Sequence, residues 1–258
     1  MKKSILVVSF GTTFANAGKI TIDAIENRIK NEYAAYEVRR AFTSQTVIKI
    51  LKDRYGIFVD TPEEALKKLY EDGYEEVFIQ PLHLIPGSEY SNLKNLIEIT
   101  RGENLFKKVK LGTPAVYSNE DYELLIDAIK DIIDRKEAVI FMGHGSYSYS
   151  NKCYLKLQAL LNDKGYKDVF IGVMEGQPCI KSVINWVKEN KIKEVMLVPF
   201  MLVAGTHVKK DMCGNENSWK KILEKEGIKV KVYLHGLGEL AKFQEIYLKH
   251  LEKIISVV

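Results

Sequence analysis

The chain has 258 residues, 46% of them hydrophobic and 28% charged, which is typical of a globular protein with its own core. A net charge of +4 with scattered lysines argues against nucleic-acid binding. No apolar run approaches the roughly 18 residues of a membrane span, and three separated cysteines fit a reducing compartment, so we expect a cytoplasmic protein that contacts neither nucleic acid nor membrane.

Short apolar runs alternate with segments of helical period along the whole chain. Eight runs predict β-strands, at residues 5–10, 37–42, 77–85, 107–111, 138–142, 169–174, 195–203 and 230–234. The helix-start pattern Asp60-Thr61-Pro62-Glu63-Glu64 predicts a helix after the second run, and residues 239–255 form the last helical stretch. Continuous apolar strands separated by helices are typical of parallel sheets that helices cover on both faces.

An internal repeat divides the chain into two halves. Residues 76–90 reappear as residues 194–208, and weaker similarity joins 5–12 to 139–146 and 41–45 to 173–177. The period is too long for a solenoid. We therefore expect an α/β protein of two similar, doubly wound parallel-sheet domains, residues 1–135 and 136–258, with the last helix packing back on the first domain.

Polar side chains follow three successive strands of the second half. His144 stands between two glycines after the strand at 138–142, Glu175 follows the next strand, and His207 follows the third. Because ligands bind beyond the carboxyl ends of parallel strands, we expect these side chains to share one edge of the sheet. Two imidazoles and a carboxylate suit a borderline divalent metal such as Co²⁺, Fe²⁺, Ni²⁺ or Zn²⁺, and neutral imidazole also accepts protons.

The first half does not repeat this set. Its corresponding positions are Phe10, Thr43 and Glu89. The chemistry predicted for the second sheet is therefore not expected on the first, and the exchange of Glu89 for His207 marks where the two halves differ.

Short motifs in order along the chain point to a known family. They are Ser9-Phe-Gly-Thr12, Arg40-Ala-Phe-Thr-Ser44, Asp60-Thr-Pro62, Leu82-His83, Gly87-x-Glu-Tyr90, Phe141-Met-Gly-His-Gly145, Pro199-x-Met-Leu-Val-Ala-Gly-x-His207, Asp211-Met212, Ser218-Trp-Lys220 and Gly236-Leu-Gly-Glu239. Together they resemble the anaerobic sirohydrochlorin cobaltochelatases of cobalamin biosynthesis, which are class II chelatases.

The resemblance implies a lyase that inserts Co²⁺ into sirohydrochlorin and needs no nucleotide. It implies two domains facing each other across a central tetrapyrrole cleft, with metal-binding and catalytic roles on His144, Glu175 and His207. We expect no cofactor beyond the substrate metal, and sirohydrochlorin and a divalent cation as partners. A homo-oligomer is compatible with the sequence.

Substrate contacts are expected on the first half. The residues at its first strand end are candidates for backbone contact with the anionic macrocycle, and Glu89 aligns with His207 in the repeat. The full set of substrate-binding candidates is Ser9, Phe10, Gly11, Thr12 and Glu89. His83 aligns with Met201, which favours a buried, structural role.

Other functions remain open or are excluded by spacing. An iron or nickel chelatase would use the same ligands, and a carrier could hold a tetrapyrrole or a metal without chemistry. A phosphate loop is excluded because six residues separate Gly11 from Gly18-Lys19 and Ile20 follows the lysine. A serine hydrolase built on Ser146 lacks the Gly-x-Ser-x-Gly elbow.

Overall fold

A computed structural model describes residues 2–146 and 149–256. The chain divides into two units, one of Met1–Asp121 with Gln244–Val258 and one of Tyr122–Phe243. The strands are β1 (Lys3–Ser9), β2 (Glu37–Phe42), β3 (Glu76–Pro81), β4 (Lys108–Leu111), β5 (Ala138–Gly145), β6 (Val169–Glu175), β7 (Glu194–Phe200) and β8 (Lys229–Val232). The helices are α1 (Ala15–Ile20), α2 (Ile22–Glu32), α3 (Gln45–Tyr55), α4 (Pro62–Glu71), α5 (Ser88–Gly102), α6 (Asn119–Ala128), α7 (Lys130–Ile133), α8 (Lys152–Asp163), α9 (Ile180–Glu189), α10 (Trp219–Lys225) and α11 (Ala241–Ser256).

Each unit holds one four-stranded parallel sheet, and the two sheets have the same strand order. The first runs β2-β1-β3-β4 and the second β6-β5-β7-β8, with every described pairing parallel. All eight predicted strands are present, and the predicted α/β class with two similar doubly wound sheets is confirmed. The domain limits expected at 135 and 136 stay a prediction.

Four strands, β1, β3, β7 and β8, end earlier than their apolar runs, and the differences are largest for β3 and β7. β3 stops at Pro81 and β7 at Phe200, whereas apolarity predicted strands to residues 85 and 203. Leu82 is buried although it lies beyond the strand. Apolarity therefore records burial here rather than strand geometry, and β5 shows the opposite error because it continues past residue 142 to Gly145.

The repeat is visible in equivalent backbone hydrogen bonds. The Gly87 amide donates to Ile85 O at 2.8 Å, and the Gly205 amide donates to Val203 O at 2.9 Å. The carbonyl of His83 accepts from the Ala115 amide, as the carbonyl of its counterpart Met201 accepts from the Leu237 amide. Those distances are 2.9 and 2.8 Å. The loop after β3 and the loop after β7 therefore have the same pattern of backbone hydrogen bonds.

Local sequence also explains where the helices begin. Thr61 forms the predicted capping box of α4, since its hydroxyl accepts from the Glu64 amide at 3.2 Å and Glu64 accepts from the Thr61 amide at 2.8 Å. Each sheet has its own apolar core, with Leu6 and Ile79 fully buried in the first unit and Ile140 in the second.

The last helix, α11, begins in the second unit and continues in the first. Within the first unit, the Tyr247 hydroxyl donates to Leu82 O at 3.1 Å, and His250 contacts Asp121 at 2.8 Å. The first contact places α11 beside the loop that follows β3, and the second places it beside α6. Among the residues that the structure describes, no helix combines the length and apolarity needed to cross a bilayer.

Candidate active site

The carboxyl edge of the second sheet brings two predicted residues together. His144 is the penultimate residue of β5, and His207 lies at the start of the turn after β7. Their imidazole ring centres are 4.8 Å apart, with the rings nearly perpendicular at 87°. Both side chains are solvent-accessible. The predicted convergence of the two histidines is therefore a feature of the fold.

Gly145 makes the close approach of β5 and β6 possible. Its φ of +78° lies in the left-handed region, and a Cβ at this position would overlap the carbonyl oxygen of Glu175. An alanine here would push the neighbouring strand away. The glycine after His144 is thus a packing requirement of the sheet edge that carries the site.

Both histidines use Nδ1 for a hydrogen bond to an oxygen acceptor. The Nδ1 of His144 is 3.2 Å from Gly145 O, and the Nδ1 of His207 is 2.8 Å from Asp211 Oδ2. Because a carbonyl and a carboxylate only accept, the neutral rings carry their proton on Nδ1. This tautomer leaves the lone pair of each Nε2 available to a metal or a proton.

Glu175 is the last residue of β6 and lies in register with Gly145, one position beyond His144. Its carbonyl accepts from Asn151 Nδ2 at 2.9 Å, and its side chain is half-buried. In the described part of the chain, no group of three or more His, Cys, Asp and Glu side chains is arranged to hold a metal ion. The assignment of all three residues to one metal site therefore stays a prediction.

Aromatic side chains support the strand beneath His144. Tyr154 packs so closely on Gly143 that a Cβ there would lie 2.8 Å from its ring. Tyr154 and Phe141 each contact Phe200 edge-on at 5.8 Å between ring centres. Burial raises the pKa of Tyr154 to about 12, although a hydrogen bond to the Gly145 backbone opposes the shift. This side chain is therefore a neutral support at ordinary pH.

The first-unit candidates surround the end of β1. Ser9 is buried at the end of the strand, whereas Phe10 is 51% exposed directly after it. Gly11 has a φ of +88°, and any Cβ there would collide with the Phe42 ring. The Thr12 hydroxyl accepts from the Phe14 amide at 3.1 Å. These candidates stay substrate-binding predictions.

Three buried polar side chains near this edge have no hydrogen-bond partner within residues 2–146 and 149–256. They are Ser9 through Oγ, Thr43 through Oγ1 and His83 through both ring nitrogens. Burial lowers the pKa of His83 to about 4, so its ring is neutral at pH 7. Glu89 is half-buried in the first turn of α5, where the helix dipole favours a carboxylate.

Asp211 is the site residue that sequence reasoning missed. The sequence analysis named Asp211 only as part of the Asp211-Met212 motif, yet its carboxylate contacts the imidazole of His207. The four-residue spacing of His207 and Asp211 was the available sign, because residues at that spacing share a helix face.

The chain is similar in sequence to known proteins over its whole length. The family model described as Cobalt chelatase (CbiK) matches residues 3–256. The sirohydrochlorin cobaltochelatase of Salmonella typhimurium is 34% identical over all of this chain and 98% of its own length. The sirohydrochlorin cobaltochelatase CbiKC of Nitratidesulfovibrio vulgaris is 32% identical, over all of this chain and 92% of its own.

Solved structures confirm the fold. SirB from Bacillus subtilis, solved with Fe³⁺, superposes with a TM-score of 0.68 at 16% identity, over 99% of this chain and 96% of its own. The CbiX of denitrifying bacteria gives a TM-score of 0.60 at 16% identity, over 99% of both chains. At this identity the likeness shows a common fold.

Proposed function

This chain belongs to the cobalt chelatase (CbiK) family, and on that premise we propose that it inserts Co²⁺ into sirohydrochlorin in cobalamin biosynthesis. Two relatives named for this reaction match it over its whole length. The reaction exchanges two pyrrole N–H protons for one divalent metal ion. An enzyme for it must hold the metal, release it to the macrocycle nitrogens and accept two protons.

The observation that carries the proposal is the pair of imidazoles at the edge of the second sheet. His144 and His207 lie 4.8 Å apart in the tautomer that leaves both Nε2 atoms available. Two imidazoles, with Glu175 as the proposed third ligand, leave a metal coordination position open. An open site suits a metal that must be transferred, because binding it too tightly in the ground state slows its release.

The same groups supply the proton acceptors. Once the metal has passed to the macrocycle, the Nε2 lone pairs of His144 and His207 become free to take protons. The edge of the first sheet is the proposed source of substrate contacts, through residues 9–12 and Glu89. Lys210, exposed three positions after His207, is a further candidate for a substrate carboxylate.

The test is an absorbance assay of the purified protein with sirohydrochlorin and Co²⁺, because metal insertion changes the spectrum of the macrocycle. Catalysed insertion is expected, and a rate equal to the protein-free rate refutes the proposal. Binding of intact sirohydrochlorin without turnover identifies a carrier instead. Parallel reactions with Fe²⁺ and Ni²⁺ measure which metal the site prefers, since similar ligands accept all three.

Single substitutions assign the reaction to the predicted site. We expect His144→Ala and His207→Ala each to lower turnover by about 100-fold or more. The matched control is His235→Ala, which removes another exposed histidine of the same unit that pairs with Glu239 at 2.7 Å. The control should keep the wild-type rate. A wild-type rate in either site variant would remove that histidine from the mechanism.

A further inference from the structure

We propose that Asp211 is the positioning residue of this site, because its carboxylate holds His207 in the tautomer that presents Nε2 to the substrate metal. The inference rests on the proposed chelatase function and adds a residue that had no role in the sequence analysis. Its basis is the 2.8 Å contact between Asp211 Oδ2 and His207 Nδ1.

The hydrogen bond selects one of two neutral forms of the ring. A carboxylate can only accept, so the proton of His207 must lie on Nδ1 while the contact persists. In a metal site, a carboxylate on the distal nitrogen of a histidine also fixes the plane of the ring. Both effects favour coordination through Nε2.

The segment that carries the pair is firmly held. Val208 and Met212 are 1% and 0% exposed and pack in the core of the second unit, so the opposite side of the turn presents His207 and Asp211 to solvent. The segment Val208–Met212 is a π-helical turn, a form often found at functional sites. It leads directly to Gly214, where a Cβ would collide with the carbonyl oxygen of Lys210.

His207 is the histidine of the pair whose orientation depends on another side chain. The Nδ1 of His144 contacts a backbone carbonyl, which substitution cannot remove. A change at Asp211 should therefore alter one metal ligand and leave the other unaffected. Such a substitution removes the hydrogen bond to His207 but keeps its imidazole, so the two roles can be measured separately.

A second histidine–carboxylate pair offers an internal reference. His235 contacts Glu239 through Nδ1 at 2.7 Å and with the same four-residue spacing. The ring of His235 lies 4.9 Å from that of Tyr233 between centres, whereas His207 has the imidazole of His144 as its neighbour. The local pairing is alike, but only the Asp211 pair adjoins another potential metal ligand.

The first experiment measures the tautomer directly, in metal-free protein with ¹⁵N-labelled histidine. The chain has five histidines, so a two-bond ¹H–¹⁵N correlation spectrum can resolve each ring. It is recorded well above the ordinary imidazole pKa of about 6.5, at a pH where a free imidazole is neutral. We expect His207 to carry its proton on Nδ1 in the wild type, to shift towards Nε2–H in Asp211→Ala, and to keep Nδ1–H in Asp211→Asn, whose amide oxygen still accepts. The signals of His235 should not change.

The second experiment titrates the same proteins with Co²⁺ and follows its visible absorption. Loss of a carboxylate that orients a metal-bound histidine weakens metal binding about 10- to 100-fold. We expect that loss in Asp211→Ala, with most of the affinity restored in Asp211→Asn. Glu239→Gln, the matched control, should bind Co²⁺ as the wild type does. Asp211 is exposed, so circular dichroism should show an unchanged fold in each variant.

The outcomes separate this inference from the proposed function. It is overturned if His207 carries its proton on Nε2 in the wild type, or if Asp211→Ala changes neither the tautomer nor Co²⁺ affinity. It is also overturned if Asp211→Asn keeps the tautomer but loses Co²⁺ as severely as Asp211→Ala, which would make Asp211 a direct ligand. If the tautomer and affinity shifts occur but the wild type inserts no metal, the chelatase proposal fails and the positioning role stands.

Discussion

Replacing Asp121 with Asn should destabilise the first unit, because it breaks a buried ion pair between α6 and α11. The side chains of Asp121 and His250 are each 2% exposed, and Nε2 of His250 donates to Oδ1 at 2.8 Å. The second carboxylate oxygen accepts from the amides of Tyr117 and Ser118 at 3.0 and 2.6 Å. The Nδ1 of His250 donates to Thr113 O at 3.2 Å, so both ring nitrogens face acceptors.

The size of the effect follows from the pKa of the carboxyl group. Burial by itself raises the pKa of Asp121, but the hydrogen bonds from His250 and Ser118 and the charge of His250 outweigh it and lower the pKa from 3.8 to about 2. This lowering of the pKa corresponds to about 2.5 kcal/mol. Removing one partner of a buried ion pair costs about 3–5 kcal/mol. We expect a loss of about 2–3 kcal/mol for Asp121→Asn, close to the value that the lowered pKa of Asp121 gives.

Urea denaturation of wild type and Asp121→Asn measures the loss as a lower midpoint at an unchanged slope. The matched control is Glu120→Gln, since Glu120 pairs with Lys253 at 2.9 Å between the same two helices but at 65% and 57% exposure. The control should lie within about 1 kcal/mol of wild type. A loss below about 1 kcal/mol for Asp121→Asn, or equal losses for both variants, would refute the reasoning.

The pH dependence of stability tests the same carboxylate. The folded protein has the lower pKa, so this carboxylate stabilises it fully above about pH 4 and progressively less as pH falls towards 2. The difference in stability between wild type and Asp121→Asn should therefore shrink as pH falls from about 4 to 2. A difference that grows between pH 4 and pH 2 would contradict the assignment.

Two further predictions concern the edges of the two sheets. Because burial lowers the pKa of His83 from 6.5 to about 4, the unfolded chain binds this proton more readily, and the free energy of unfolding should fall by about 2 kcal/mol as the pH is lowered from 7 to 5. In urea denaturation at a series of pH values, His83→Leu should remove that part of the pH dependence. An unchanged pH dependence in the variant would exclude the buried neutral ring. Gly145→Ala should cost about 2 kcal/mol or more and reduce turnover, because its Cβ would overlap the Glu175 carbonyl oxygen. Its control is Gly165→Ala, which has a similar φ of +89° and nothing within 4 Å, and equal losses for the two variants would show that strand packing is not the cause.

Sequence patterns were reliable where the cause is local. A continuous apolar strand reflects burial on both faces, and the helix start at Thr61 depends on residues three positions apart, so both could be predicted without a structure. The repeat of residues 76–90 in 194–208 predicted two similar halves because similar local sequences form similar strands and turns. Strand ends were less reliable. The loops after β3 and β7 are as apolar as the strands before them, whereas β5 continues beyond its apolar run through Gly143, His144 and Gly145.

The sequence by itself determined the parallel α/β architecture, its duplication and the choice of His144 and His207, because strand order brings corresponding strand ends to one edge. Only the tertiary structure decided how these side chains are used. It set the 4.8 Å between the two rings, placed the Glu175 backbone against Gly145, and directed Asp211 onto His207. Hydrogen-bond partners and side-chain distances depend on how a turn packs on its core, which no pattern of residue types records.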